Sequence, residues 1–432
     1  MHERLDGERS FYYPYLRMLD SPYNLRHWSK EELAELQDVA LVHRCKSKAA
    51  QVRGNWERII GTLTELYPHL FNRESYSWEM WDWAWGLIQS RAFGRRLPWS
   101  ALVPLADCLN HGNVQTKYQL RDGVFTLFPT GHNAYLAGNQ VLNSYGRRSN
   151  SNLLLEYGFA IKDNQHDEVE VRVSLQDHFN SNNARGKQIR AFLNQRALRS
   201  SRTILLTLGK WPRRLIEMYR AFNLTASQMK AIEEAESKYK EKPGVSQEHK
   251  EDREKCLPSQ QPKLRITWRG LVSFPDQSLS LENEASALRG ALERLQQVRF
   301  PTSLEHDEGL LEQLQHQGHQ GEACHSSSIN ALRYRVTRKK ILRDQVRWLE
   351  EALAVVRTME GPLSKCASWE TVGCCMGLQD YLQRLECRHG REPIAKGKEG
   401  RAPKCGSLHL ARENLEEECV WLSCLKLDEL RN

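Results

Sequence analysis

Long apolar runs are missing from this 432-residue sequence. No stretch reaches about 18 consecutive apolar residues, the length that a membrane-spanning helix needs. The first eight residues, Met-His-Glu-Arg-Leu-Asp-Gly-Glu, are too polar for a secretory signal peptide. We therefore expect no membrane association and an intracellular location, in the cytoplasm or the nucleus.

A strong charge of one sign is also missing. The chain has 62 Lys and Arg against 54 Asp and Glu, a formal net charge of +8. A surplus this small, spread along the chain, does not favour a nucleic-acid-binding module, and it fits a soluble protein that meets acidic partners. The sequence is 40% hydrophobic and 27% charged. It can therefore build a sizeable core, and its length suits roughly two to three domains.

Cysteine pairs at metal-binding spacing are absent. The 11 cysteines include no Cys-x-x-Cys pair, and the adjacent Cys374 and Cys375 suit a tetrahedral metal site poorly. We expect reduced thiols and no metal site. Seven of the cysteines lie beyond Gly361, and residues 361–432 form a tail that stays unassigned.

Residues 1–100 are helical in pattern. Ser29 and Glu32 have the spacing of a capping box, which predicts a helix N-terminus. The tryptophan-rich stretch from Ser77 to Trp85 predicts a buried amphipathic helix with an aromatic face.

Residues 101–175 are typical of short strands joined by glycine-containing turns. Asp122-Gly123 lies between apolar and aromatic residues and predicts a hairpin from Tyr118 to Leu127. Alternating valines predict another strand near Val169–Val173. This region is predicted to be a compact β domain.

The pattern becomes helical again from about residue 176 to residue 360. Thr225 and Gln228 predict a second capping box. Two further helical stretches are predicted at Leu281–Val298 and Asn330–Met359. Two connections are predicted as well: an exposed charged loop at Lys238–Pro262 and a mobile insertion at Gln313–Ser328.

Four segments carry the functional signal. Each alone has an ordinary structural explanation, but their order and spacing together indicate one site. They are Ser90-Arg91-Ala92-Phe93-Gly94-Arg95, Leu102 through Asn110-His111, Gly138 through Tyr145-Gly146, and Ser149 through Tyr157-Gly158-Phe159.

These segments resemble the SET-domain protein methyltransferases of the Rubisco large-subunit methyltransferase type. Gly7–Leu16 resembles the start of their inserted helical part, and Phe300–Glu305 with Arg333-Tyr334-Arg335 resembles their helical substrate-binding domain. The resemblance implies an α+β chain. A partial β-rich SET core with a helical insertion (1–100 and 101–175) would precede a mostly α-helical substrate-binding domain (176–360).

The family implies S-adenosylmethionine as cofactor and a protein as substrate, with no nucleic acid, and we expect a monomer. Tyr145 matches the catalytic tyrosine, whose hydroxyl would help to position the methyl group and the attacking nitrogen. The positions that match cofactor contacts are Arg91, Asn110, His111 and Tyr157. The positions that match the substrate side are Phe93, Arg95, Ala106, Asp107, Tyr118 and Phe159.

The target residue is predicted from two of these positions. The histidine-modifying members of the family have Asn and Trp where this sequence has Phe93 and Ala106. The resemblance therefore favours lysine N-methylation, because an aromatic channel suits a long alkyl chain that ends in an amine. Histidine methylation and a catalytically impaired, protein-binding SET-like protein are the alternatives.

The sequence departs from the family before Gly7. Family members carry a Gly-x-Gly loop upstream that contacts the cofactor, and no Gly-x-Gly occurs near this N-terminus. We expect a truncated gene model, a fragment or a degenerate copy, with cofactor binding weaker than in complete members.

Overall fold

The computed structural model describes residues 1–94, 97, 99–130, 135–179, 183–196, 198–240, 281–318 and 327–359. All of them belong to one unit, Met1–Leu385. The helices are α1 His2–Leu5, α2 Tyr13–Arg17, α3 Lys30–Ala34, α4 Val39–Leu66, α5 Trp78–Arg91, α6 Asn150–Tyr157, α7 Leu175–His178, α8 Ala184–Gln195, α9 Arg213–Phe222, α10 Ala226–Lys240, α11 Leu281–Gln296, α12 Leu304–Gly318 and α13 Ser327–Met359. The strands are β1 Thr116–Arg121, β2 Val124–Pro129, β3 Glu168–Ser174 and β4 Ser201–Thr207.

Polar side chains define where the N-terminal helices begin. Ser29 and Glu32 form the predicted capping box at the start of α3. The Asp38 carboxylate accepts from two backbone amides at the start of α4, and the Ser77 hydroxyl caps the tryptophan-rich α5. The predicted capping box and the predicted helix are confirmed, but of the four tryptophans only Trp83 is buried, and Trp78, Trp81 and Trp85 are partly buried.

The N-terminal helices share a core with later parts of the chain. Leu25, Leu36 and Leu41 are buried against Leu154 of α6 and Tyr334 of α13. Burial of such side chains contributes roughly 1.5–3 kcal/mol each relative to exposure. Helix α6, which carries Tyr157, is therefore held by packing from both the N-terminal helices and α13.

Two separate two-stranded sheets are present among the described residues. Strands β1 and β2 form the predicted hairpin, with Arg121 opposite Val124 across the Asp122-Gly123 turn. Both turn residues have positive φ, 51° and 76°, as the common two-residue hairpin turn requires. Strand β3 is also confirmed.

Strand β4 departs from the helical pattern expected beyond residue 176. It pairs antiparallel with β3, with Val171 opposite Ile204. Ile204 and Leu206 are buried and alternate with less buried neighbours, a period of two that favours a strand with one face on the core. They pack with α8, α9, α11 and α13 in the largest apolar cluster of the described chain.

The predicted insertion at Gln313–Ser328 is wrong at both ends. Helix α12 continues to Gly318, and α13 begins at Ser327. Leu311 and Leu314 of α12 pack on Ile329 and Leu332 of α13, and this packing extends helix into a polar sequence. Residues 319–326, most of the predicted loop at 238–262 and the tail from 361 lie outside the described residues.

In the part of the chain that the structure describes, no helix combines the length and the apolar character needed to cross a membrane. The same ranges contain no group of three or more His, Cys, Asp or Glu side chains placed to hold a metal ion.

Candidate active site

Two of the four sequence segments lie side by side. His111 and Asn143 form a parallel β-bridge. The Asn143 amide donates to the Asn110 carbonyl at 2.8 Å, and the Gly112 amide donates to the Asn143 carbonyl at 3.0 Å. The Asn143 side chain also accepts from the Thr116 hydroxyl at 2.8 Å. These bonds bring Asn110-His111 next to the chain that leads into Tyr145.

Tyr145 stands in a stack of aromatic rings. Its ring lies 5.0 Å from His111 and 4.9 Å from Tyr157, nearly parallel to both, and 6.4 Å from Phe159. Its hydroxyl donates to the Leu109 carbonyl at 2.8 Å. Burial raises the pKa of Tyr145 to about 12, so the phenol keeps its proton at neutral pH.

His111 positions the backbone of Tyr145. Its Nδ1 lies 3.1 Å from the Tyr145 amide, which donates to it, and 3.3 Å from the Asn143 carbonyl. The His111 Nε2 is buried and has no hydrogen-bond partner within the described ranges. Burial lowers the pKa of His111, which favours the neutral ring.

Asn110 and Arg91 bring polar groups to the same region. The Asn110 side chain is exposed, and its hydrogen bond to Asn143 uses only its backbone. Arg91 is the last residue of α5, and its guanidinium donates to the Asp107 carbonyl at 3.2 Å and to the Asp107 carboxylate at 3.5 Å. The charges of Arg91 and Asp107 act in opposite directions on the ionisation of Tyr145, so these groups lie within electrostatic reach of its hydroxyl.

Asp107 supports Arg91 from inside the protein. Its side chain is 0% exposed and accepts a 2.5 Å hydrogen bond from the hydroxyl of Tyr15 in α2. The structure thus gives this carboxylate buried protein partners. Tyr15 was missed by the sequence reasoning, which placed it only in the Gly7–Leu16 segment.

Other predicted substrate-side residues form a second aromatic cluster. The Phe93 ring packs 5.1 Å from Tyr118 and 5.1 Å from Phe125, and Phe93 is buried. Phe125, on β2, was not predicted as a site residue from sequence. The predicted hairpin places it opposite Leu120, and this pairing was the available sequence signal. Phe159 instead joins the Tyr145 cluster, 6.2 Å from Tyr157.

The last two predicted substrate-side positions are Ala106 and Arg95. Ala106 opens a short 3₁₀ turn, Ala106–Cys108, after Leu105, which has a φ of 72° and an exposed side chain. This turn directs Asp107 inward. Arg95 lies outside the described residues.

Helix α6 determines where Tyr157 and Phe159 lie. Asn150, the first helical residue, binds the Asp167 carboxylate through its backbone amide at 2.8 Å and its side chain at 2.9 Å. Gly158 ends the helix in the left-handed conformation, with a φ of 88°. This turn places Tyr157 and Phe159 beside Tyr145. The site combines a protonated phenol, backbone carbonyls and aromatic faces, which can hold a methyl group or an amine by weak C–H···O and cation–π contacts.

Comparisons of sequence find one family model and a group of relatives. Residues 187–342 match the family model described as Rubisco LSMT substrate-binding. The actin-histidine N-methyltransferase of Mus musculus is 27% identical over an alignment of 179 positions that covers 38% of this chain and 29% of the relative. The Homo sapiens protein of that name is 26% identical over the same shares. The alignment thus spans less than a third of these relatives.

Comparisons of structure give the fold. A structure of the SET domain of LSMT bound to lysine and AdoHcy matches with a TM-score of 0.54 and 18% identity, over 85% of this chain and 79% of the other. Rubisco LSMT bound to sinefungin and monomethyllysine matches with a TM-score of 0.56 and 21% identity, over 89% and 80%. The predicted α+β fold, with a SET-like part and a helical region, is confirmed. Residues 187–342 thus match the Rubisco LSMT substrate-binding family model, and the chain has the fold of the Rubisco LSMT SET-domain structures.

Proposed function

We propose that this chain acts as an S-adenosylmethionine-dependent protein methyltransferase that methylates a side-chain nitrogen. The observation that carries the proposal is the setting of Tyr145. Its protonated hydroxyl is anchored at the Leu109 carbonyl, and its ring lies between His111 and Tyr157. Solved structures of the same fold contain AdoMet, or AdoHcy with lysine.

The residues near Tyr145 fit the proposed cofactor. The exposed Asn110 side chain, which makes no hydrogen bond in the described part of the chain, offers both a donor and an acceptor for the amino-acid end of the cofactor. The backbone of His111 would contact the adenine, and Arg91 would help to orient the polar end. When bound, S-adenosylmethionine supplies an electrophilic methyl group on a sulfonium.

The contribution of the protein to methyl transfer is then mainly alignment. The attacking nitrogen must lie in line with the methyl group, and holding reactants in that geometry can contribute several kcal/mol. The Tyr145 hydroxyl donates to Leu109, so its lone pairs stay available to the methyl hydrogens. Tyr157 and Phe159 form aromatic walls that order the incoming side chain and limit the access of water.

We propose lysine as the target residue. Phe93 and Ala106 match the lysine-type members, and the solved structures of this fold hold lysine or monomethyllysine. Histidine is the second candidate, because the curated relatives are actin-histidine N-methyltransferases. An imidazole is shorter than a lysine side chain, so the two targets require different depths of channel.

Isotope labelling tests both the methyl transfer and the identity of the target residue. The chain would be incubated with cell extract and S-adenosylmethionine carrying a deuterated methyl group, and labelled peptides would be identified by mass spectrometry. Label on lysine supports the full proposal, and label on histidine supports methyl transfer but replaces the target. If no protein gains label above the level seen with Tyr145→Phe, the chain is not a methyltransferase, and the remaining candidate is a protein-binding module.

A further inference from the structure

A groove of about 600 Å³ lies away from the Tyr145 site. One wall is the end of α11, a second is the segment 298–304, and the third is the middle of α13. The segment 298–304 contains most of the Phe300–Glu305 motif and lies within residues 187–342, which match the Rubisco LSMT substrate-binding model. The volume lies within the range of ligand-binding clefts.

The floor of the groove is apolar. Leu295 and Leu342 are buried beneath it, and Val298, Phe300 and Val346 are only partly covered. These three side chains offer one apolar contact surface. A leucine-sized or phenylalanine-sized side chain placed there would lose water contact, which stabilises binding by roughly 25 cal/mol per Å² of buried apolar area.

Most of the charged side chains that line the groove are cationic, and some of these cations have no ion-pair partner among the described residues. The Lys339 ammonium donates to the Thr302 carbonyl at 2.8 Å and to the Asp307 carboxylate at 2.5 Å. Arg347 is paired with Glu351 at 2.8 Å. Both cations therefore already have protein partners.

Arg299 and Arg343 differ from these two cations. Both are exposed, line the groove and make no hydrogen bond or ion pair within the described ranges. The positive charge of Arg343 acts on the ionisation of the exposed Glu305. Glu350 is the one carboxylate among the lining residues. The groove therefore presents two unpaired guanidinium groups at its edge and an apolar floor between its walls.

We propose that this groove docks an acidic peptide segment of a partner protein. Carboxylates of the segment would bind Arg299 and Arg343, whose planar guanidinium groups match carboxylate geometry. An apolar side chain between the carboxylates would rest on Phe300 and Val346. This binding needs neither cofactor nor methyl transfer, so it stands independently of the proposed activity.

Fluorescence anisotropy of labelled peptides tests the proposal on the full chain without cofactor. The probe is a short peptide of alternating glutamate and leucine, compared with a version carrying lysine for glutamate and one carrying serine for leucine. We expect the glutamate–leucine peptide to bind and the other two to bind at least about tenfold more weakly. Binding should also weaken as salt rises, because exposed charges are screened.

Charge reversal localises the site. Arg299→Glu with Arg343→Glu should weaken binding of the glutamate–leucine peptide by about tenfold or more. The matched control is Arg58→Glu with Arg289→Glu, which changes the net charge equally at two exposed arginines that do not line the groove. It should change the affinity by less than about twofold. Equal losses in the two double variants, equal binding of the lysine peptide, or no binding by the wild-type chain would each overturn the proposal.

Discussion

The hydroxyl of Tyr15 donates a 2.5 Å hydrogen bond to the buried carboxylate of Asp107. The same carboxylate lies 3.5 Å from the Arg91 guanidinium. An aromatic residue of α2 thus supports, through one carboxylate, the arginine at the end of α5. The contact joins residues 92 positions apart and ties the N-terminal helices to the candidate active site.

Tyr15→Phe should destabilise the protein by about 1.5–3 kcal/mol, because a hydrogen bond to a buried charged group is lost. The loss would be measured by urea unfolding at pH 7. Burial raises the pKa of Tyr15 above its ordinary value of 10.0, so its stabilising effect is complete below pH 10 and is lost as pH rises through the folded-state pKa. The wild type should therefore lose stability above pH 10 more steeply than the variant, and parallel curves would contradict this account.

Tyr145→Phe should reduce methyl transfer by about 100-fold, as expected for loss of one positioned polar group at a reacting centre. The ring stack with His111 and Tyr157 would remain, so the circular dichroism spectrum should not change. Initial rates with labelled cofactor measure the effect. Tyr67→Phe, at an exposed tyrosine after α4, is the control and should keep the wild-type rate. A Tyr145→Phe rate within about threefold of wild type would refute the role of its hydroxyl.

Gly158→Ala should destabilise the protein by about 4 kcal/mol or more. A Cβ atom at this position would lie 2.0 Å from the Tyr23 carbonyl oxygen, against backbone that cannot move aside. Gly138→Ala is the matched control, because Gly138 has the same φ of 88° but nothing within 4 Å of its added Cβ. That variant should cost only about 1–2 kcal/mol, from the left-handed backbone alone. Similar thermal unfolding midpoints for both variants would show that the contact with Tyr23 is absent.

Glu284→Gln should cost about 3–5 kcal/mol, because it removes a negative charge that is hydrogen-bonded to the buried Arg220 guanidinium. The two side chains are 0% exposed and are joined by two hydrogen bonds, of 2.5 and 2.7 Å. The double variant Arg220→Met, Glu284→Leu should recover most of the loss, because an apolar pair needs no charge compensation. Glu57→Gln, in the exposed pair with Arg53, should cost less than about 0.5 kcal/mol in the same urea titration.

Asp167 should make stability depend on pH between 4 and 7. Burial raises its pKa from 3.8 to about 6, although the amides of Asn150 and Glu168 and the Asn150 side chain oppose this. Because the pKa of Asp167 is higher in the folded state, its protonated carboxyl contributes fully to the free energy of unfolding below pH 3.8. This contribution is lost as pH rises through 6. The loss amounts to roughly 3 kcal/mol. Asp167→Asn should remove this part of the dependence, and an unchanged slope in urea midpoints would contradict the assignment.

Local sequence determined several features of this protein without help from the fold. The Ser29 and Glu32 capping box, the positive-φ turn at Asp122-Gly123 and the tryptophan-rich α5 each depend on residues within a few positions of one another. Their preferences are satisfied by short-range hydrogen bonds and backbone sterics. The motifs around His111 and Tyr145 also sufficed to predict the fold that the structural comparisons confirm.

Only the tertiary structure decided which of these residues meet. Sequence grouped Phe93 and Tyr118 on the substrate side, and packing adds to them the ring of Phe125, which sequence did not indicate. Sequence also did not indicate that Tyr15 would bind Asp107, or that β4 would complete a sheet with β3. These contacts join residues 25 to 92 positions apart, and they form because burial of shared apolar surface brings distant segments together. The residue types were readable from the chain, but the geometry around Tyr145 depends on that burial.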